Sequence, residues 1–171
     1  MSDISSSSLA PPGAHVPHER IFLVVVDETE EMRVALRYAA LRAFHTGGKV
    51  ALLAVAEPPG IQQFAAIEER MEEEAREGAE QLLAKLSGEV KDIAGSTPIL
   101  YLRRGRPSDE LLALIDEEPS ISVVVLGAGI GQEGPGPLIT ALVSHSHSGK
   151  LRVPVTIVPG GLDEGQIAAV A

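Results

Sequence analysis

Five short apolar runs alternate with segments of helical period along this chain. IFLVVV (21–26) is β-branched and wholly apolar, the pattern of a strand buried on both faces, as in a parallel sheet. Thr29 then offers an N-cap, with Glu30 and Glu31 in the first turn, where the helix dipole favours acidic side chains. Met32, Leu36, Ala39, Ala40 and Phe44 recur at helical spacing until Gly47 and Gly48 stop the helix. VALLAVA (50–56) predicts a second buried strand, closed by Pro58, Pro59 and Gly60. From about 62 to 87, Ile67, Met71, Ala75, Ala79, Leu82, Leu83 and Leu86 form one apolar stripe. Its opposite face carries Glu68, Glu69, Glu72, Glu73, Glu74, Glu77 and Glu80, which reads as a solvated helix surface rather than a partner-binding one. PILYLR (98–103) predicts strand three, and Pro107 with DELLALIDE a short third helix. ISVVVLG (121–127) reads as a fourth buried strand. A Gly/Pro loop (127–137) leads into a fourth helix, PLITALVSHSHS (137–148), with Pro137 at its first position. VPVTIVP (153–159) is strand five. This β-α alternation with buried apolar strands means a parallel, doubly wound α/β sheet.

Outside that pattern, residues 1–19 are rich in Ser, Pro and Gly and read as a disordered tail, and 161–171 as a second, shorter one. The body is then 20–160, and 171 residues suit a single domain. The formal net charge of −10 opposes nonspecific binding to nucleic acid and to anionic membranes. It leaves room for a small anionic ligand, which local N–H groups can hold. Without cysteine there is no disulfide, no thiolate catalysis and no zinc–thiolate site, which fits a cytoplasmic location. No apolar run reaches the roughly 18 residues of a membrane span, and the N-terminal stretch has no signal-peptide pattern.

In open α/β sheets, ligands sit beyond the carboxyl ends of the strands, so the loops after the strands are where chemistry is sought. Asp27 directly follows strand one. Its carboxylate can accept hydrogen bonds from an adenine amine or a ribose hydroxyl, or it can help Thr29 cap the helix. Five glycines lie between strand four and helix four, and such a loop can aim N–H groups at phosphate. Gly129, Gly131 and Gly134 spell a dinucleotide fingerprint, but they follow strand four and no acidic residue lies near 150 to hold a ribose. Gly149-Lys150 fails as a P-loop end, because Ser144 replaces its glycine and Leu151 its hydroxyl. His145 and His147, at i,i+2, point to different helix faces, so no metal site is expected. No G-x-S-x-G occurs and no catalytic residue is assigned.

Taken together, these segments resemble the universal stress protein family. VVVDETEEMRVALRYAALRA (24–43) resembles its opening strand and helix, and ALLAVAEP (51–58) its second strand. Arg104 to Leu111 resembles its G-x-P-x-x-x-I/L turn, and VVVLGAG and VPVTIVP its last two strands. The resemblance covers the whole body. It implies a five-stranded parallel sheet in the order 3-2-1-4-5 with helices on both faces, of the adenine-nucleotide alpha hydrolase-like type. It also implies homodimers paired through the last strand, here Val153–Pro159, and in some members ATP with magnesium between the ends of strands one and four. By that analogy Asp27 meets adenine and ribose, and backbone groups of Ala54 and Val55 hold the base. The family's phosphate pattern is G-x2-G-x9-G-[ST]. Gly131 can serve as its second glycine, with Ala128 three residues earlier, Gly127 one step further and Gly129 between. Ala141 and Leu142 stand where Gly and Ser or Thr are expected; if the loop shifts register, Ser144, Ser146 or Thr140 is the substitute hydroxyl. Two readings follow: a nucleotide-binding stress protein, or the same dimer with a degenerate phosphate loop that acts through protein partners. The enzymes of the wider superfamily carry HIGH-type or SGG-x-DS loops, and neither occurs here.

Overall fold

The computed structural model describes residues 19–58, 60, 65–144 and 149–171. Residues 1–18 of the tail read at 1–19, with His15 and His18, lie outside the described residues, as do His145, Ser146 and His147. The strands are β1 (Ile21–Val25), β2 (Lys49–Ala56), β3 (Ile99–Arg104), β4 (Ile121–Ala128) and β5 (Val155–Pro159). The helices are α1 (Glu30–Thr46), α2 (Ala65–Ala94), α3 (Pro107–Glu117), α4 (Pro137–Val143) and α5 (Glu164–Val170). All strand pairs are parallel, in the order β3-β2-β1-β4-β5, as the sequence pattern and the resemblance imply.

The period-2 alternation of side chains divides the apolar strands between two cores. On one face, Phe22, Val24, Val26, Val50, Leu52 and Ala54 pack with Met32, Ala35, Leu36 and Ala39 of α1 and with Leu83, Leu86 and Val90 of α2. On the other, Ile21, Leu23, Ala51 and Leu53 meet Leu111, Leu114 and Ile115 of α3 and Ile139 and Leu142 of α4. With both faces covered, the central strands need no polar residue. The first helix starts where the sequence predicts: the Thr29 side chain accepts from the Met32 N–H at 3.3 Å. It stops at Gly47, which adopts the left-handed conformation at φ 66°.

Three elements differ from expectation, and one is α4, expected over 137–148, which ends at Val143 with Ser144 in extended backbone. The second helix continues to Ala94, well past 87, because Val90 and Ile93 extend the buried row of Leu83 and Leu86 through Gly88. Its N-terminal half lifts from the sheet, leaving Ile67 49% and Met71 39% exposed. The segment 161–171, read as a tail, instead holds α5. Asp163 and Gln166 form a reciprocal capping box, and Ile167 is buried. Arg37 of α1 meets Glu164 at 3.5 Å, so the helix is docked by both an apolar and an ionic contact.

Candidate functional site

A cleft of about 690 Å³ opens at the carboxyl ends of β1, β2 and β3, under the start of α4. This volume lies within the usual range for small-molecule sites. Val26 and Asp27 come from the end of β1, and Val55 to Pro58 from the end of β2. The turn Gly105–Ser108 closes one side, and Pro137, Leu138 and Ala141 of α4 close another. Ala75 and Ala79 form the roof, and their small side chains keep the cleft from being filled by α2. Beyond Glu57 and Pro58 it adjoins a second hollow of about 490 Å³ walled by Arg76, Arg103 and Arg104. Those arginines are committed: Arg76 to Glu73 and Glu80, Arg103 to Glu117, and Arg104 to Glu72.

The site residues expected from sequence divide between the cleft and its surroundings. Asp27 lines it, exposed, and its Oδ1 accepts from the Thr29 N–H at 2.8 Å and the Thr29 hydroxyl at 2.5 Å. Asp27 therefore braces the N-cap of α1 with one carboxylate oxygen and faces the cleft as well. Val55 lines the cleft too, whereas Ala54 is one residue deeper, 2% exposed, in the core beneath. Gly127, Gly129, Gly131 and Ser144 are outside the cleft lining. A Cβ on Gly127 would fall 2.0 Å from the Glu31 carbonyl oxygen, so this glycine admits the first turn of α1. The Gly129 N–H donates to the Pro135 carbonyl at 3.2 Å, and the Gly134 N–H to the Gly131 carbonyl at 3.4 Å. The Ser144 hydroxyl donates to the Ala141 carbonyl at 2.6 Å at the end of α4. Of the two residues that depart from the end of the family's phosphate pattern, Ala141 faces the cleft and Leu142 is buried at 2% in the core.

Several lining residues carried no signal of chemistry in the sequence. Glu57 brings a second carboxylate beside Asp27, and Arg106 brings a cation. Gly105-Arg106-Pro107-Ser108 was legible only as a turn. The one feature that could have raised it is a serine just inside a helix start, next to an arginine. Among the described residues no group of three or more metal-ligating side chains gathers, and no helix is long and apolar enough to cross a membrane.

A parallel sheet in the order 3-2-1-4-5, covered by helices on both faces and open to a ligand-sized cleft at the strand ends, defines an α/β protein of the adenine-nucleotide alpha hydrolase-like type. The chain belongs to the universal stress protein family, whose sequence model matches residues 19–159. No significant match was found among curated protein sequences. Solved structures give the same fold. Universal stress protein UspA from Lactobacillus plantarum superposes with a TM-score of 0.68 at 16% identity, over 82% of this chain and 97% of that one. A universal stress protein family member from Burkholderia pseudomallei gives 0.64 at 18% identity, over 86% and 99%. A family member from Arabidopsis thaliana with AMP bound gives 0.54 at 14% identity, over 82% and 91%.

Proposed function

We propose that this chain binds an adenine nucleotide in the cleft at the ends of β1, β2 and β3, and that it acts as a nucleotide-responsive stress protein. The observation that carries the reading is the position of Asp27 and Val55: a carboxylate that can accept from a ribose or an adenine amine, beside an apolar wall at the end of β2. The AMP-bound Arabidopsis relative supports the ligand class. The proposed chemistry is binding, with the Asp27 carboxylate as the group that meets the ligand.

The test is calorimetry and thermal shift on nucleotide-free protein with adenosine, AMP, and ATP with and without magnesium. A ligand at 100 times its dissociation constant should stabilise the fold by about 2.7 kcal/mol. Saturable heat with matching stabilisation supports the reading, and dependence of ATP binding on magnesium supports ATP as the ligand. Absence of both effects at millimolar AMP and ATP overturns it. The second reading, a partner-binding protein without nucleotide, is then the better one. It is favoured by the glycine loop, two of whose amides bond within the loop.

The assembly we propose is a homodimer through β5, the strand at one edge of the sheet. Val155 and Thr156 are half-buried and Ile157 is 45% exposed, an apolar edge that invites a second strand. Light scattering should give twice the 18.0 kDa chain mass, and Ile157→Lys should return it to the monomer.

A further inference from the structure

We infer that the turn Gly105–Ser108 at the start of α3 is the anion-holding pole of the cleft and takes the phosphate of the bound nucleotide. The Ser108 hydroxyl would donate to it, and Arg106 would supply the charge. This rests on the nucleotide reading above and deepens it.

Ser108 is the observation that points to a ligand. It is 7% exposed, the one polar residue among the buried side chains of the described residues. It lines the cleft, and its hydroxyl makes no hydrogen bond among the described residues. It is also not sealed away, since the only enclosed and unpartnered side-chain atom there is Nε of Arg37. Buried polar groups in folded proteins nearly always have a partner, and this one faces the space where a ligand would lie.

The backbone around Ser108 suits an anion. The eleven-residue α3 opens on Pro107, and its N-cap, Arg106, provides no side-chain cap. The Asp109 and Glu110 N–H groups both turn back to the Arg106 carbonyl at 3.0 Å. The positive end of the helix dipole thus lies at the turn that lines the cleft. The turn is fixed in place, because the Gly105 N–H donates to the Ala56 carbonyl at 3.1 Å at the end of β2. Phosphate and base sites would therefore share one rigid frame.

Charge selects the same pole. Asp27 and Glu57 make the β1–β2 end of the cleft negative, a poor place for phosphate. Arg106 is the only cation among the described lining residues, its side chain is 82% exposed, and Asp109 is 4.0 Å away. Asp109 and Glu110 themselves lie outside the lining, with Glu110 folded over Gly105. The glycine loop after β4 offers no comparable cation, since no Lys or Arg occurs between 128 and 149.

The experiment compares AMP with adenosine by calorimetry on the wild-type chain, Ser108→Ala and Arg106→Gln. Each variant should weaken AMP about tenfold and leave adenosine within about twofold, as for a lost charge-assisted hydrogen bond. Arg106→Gln should also flatten the salt dependence of AMP affinity. Unchanged AMP affinity, or equal weakening of both ligands, overturns the assignment while the nucleotide reading stands. If wild type binds neither ligand, the nucleotide reading falls. The pole is then judged by amide NMR with inorganic phosphate: a saturable shift at Ser108 that Arg106→Gln abolishes sustains it, and no shift overturns it.

Discussion

The stretch from the end of β4 to α4 has five glycines, and the turn between β3 and α3 has one, yet it is the glycine of the second that lines the cleft. The β4 crossover uses its glycines for shape. Gly127 lets the Glu31 backbone approach, and Gly134 and Gly136 adopt positive φ of 89° and 113°. Its N–H groups at Gly129 and Gly134 bond within the loop, and Pro135 and Pro137 have none to offer. The β3 crossover is shorter and carries its chemistry in side chains, Arg106 and Ser108, on a turn anchored to β2. Glycine content marks where the backbone must bend or come close. Unpartnered polar groups mark where something else must bind.

The sharpest break in this comparison is Gly127→Ala against Gly131→Ala. The new methyl at 127 would collide with the backbone of α1, whereas at 131 nothing lies within 4 Å. Chemical denaturation should show a loss of about 4 kcal/mol for the first, the range of severe backbone clashes, and a change within about 0.5 kcal/mol for the second. Comparable losses at both positions would mean that the loop is uniformly packed and the division drawn here is wrong.

Next in size is Leu142→Ser, which restores the residue type of the family's phosphate pattern. Leu142 is 2% exposed among Leu111, Ile115 and Ile139. The change removes most of a core side chain and buries a hydroxyl, at a cost of about 3 kcal/mol. AMP affinity should not improve. An AMP affinity gain with intact stability would show that position 142 faces the ligand and that the β4 crossover is the phosphate site.

Asp27→Ala comes third. Losing the brace on the N-cap of α1 should cost about 1 kcal/mol, and nucleotide affinity should fall with it. Asp27→Asn keeps an oxygen acceptor for the Thr29 N–H and so separates the two roles. Retained stability with lowered affinity assigns the carboxylate to the ligand. Retained stability and affinity together would leave Asp27 with capping alone.

The parallel, doubly wound architecture was legible because apolar runs in β1, β2 and β4 are buried on two faces, and the strand order followed from the family resemblance. Asp27 and Val55 were legible because position after a strand is a property of the chain. The phosphate pole was not. Ser108 is one serine among many, and only folding shows that it is buried and unpartnered. Gly127 is ambiguous in sequence for the complementary reason, since close approach to α1 and close approach to a phosphate ask for the same residue. The α5 helix was missed although Asp163 and Gln166 have capping-box spacing, because its seven residues contain little apolar pattern beyond Ile167.

The smallest effect concerns what holds the β3 crossover rigid. Arg103, at the end of β3, donates to both carboxylate oxygens of Glu117, at the far end of α3. That hydrogen bond holds the Glu117 carboxyl below the usual glutamate range, against a smaller opposing effect of desolvation and with further help from the Arg103 charge. A carboxyl whose folded pKa is lowered stabilises the fold above its unfolded value, about 4.3, and loses that contribution as pH falls through the folded value. The Tm difference between wild type and Glu117→Gln should therefore be present at pH 7, shrink below about pH 4.3, and vanish in stronger acid. Since Glu117 is more than half exposed, high salt should shrink it as well. AMP affinity should be unchanged if the Gly105 N–H to Ala56 bond alone sets the turn. A loss of AMP affinity in Glu117→Gln, with adenosine affinity retained, would show instead that the ion pair at the far end of α3 also positions the phosphate pole.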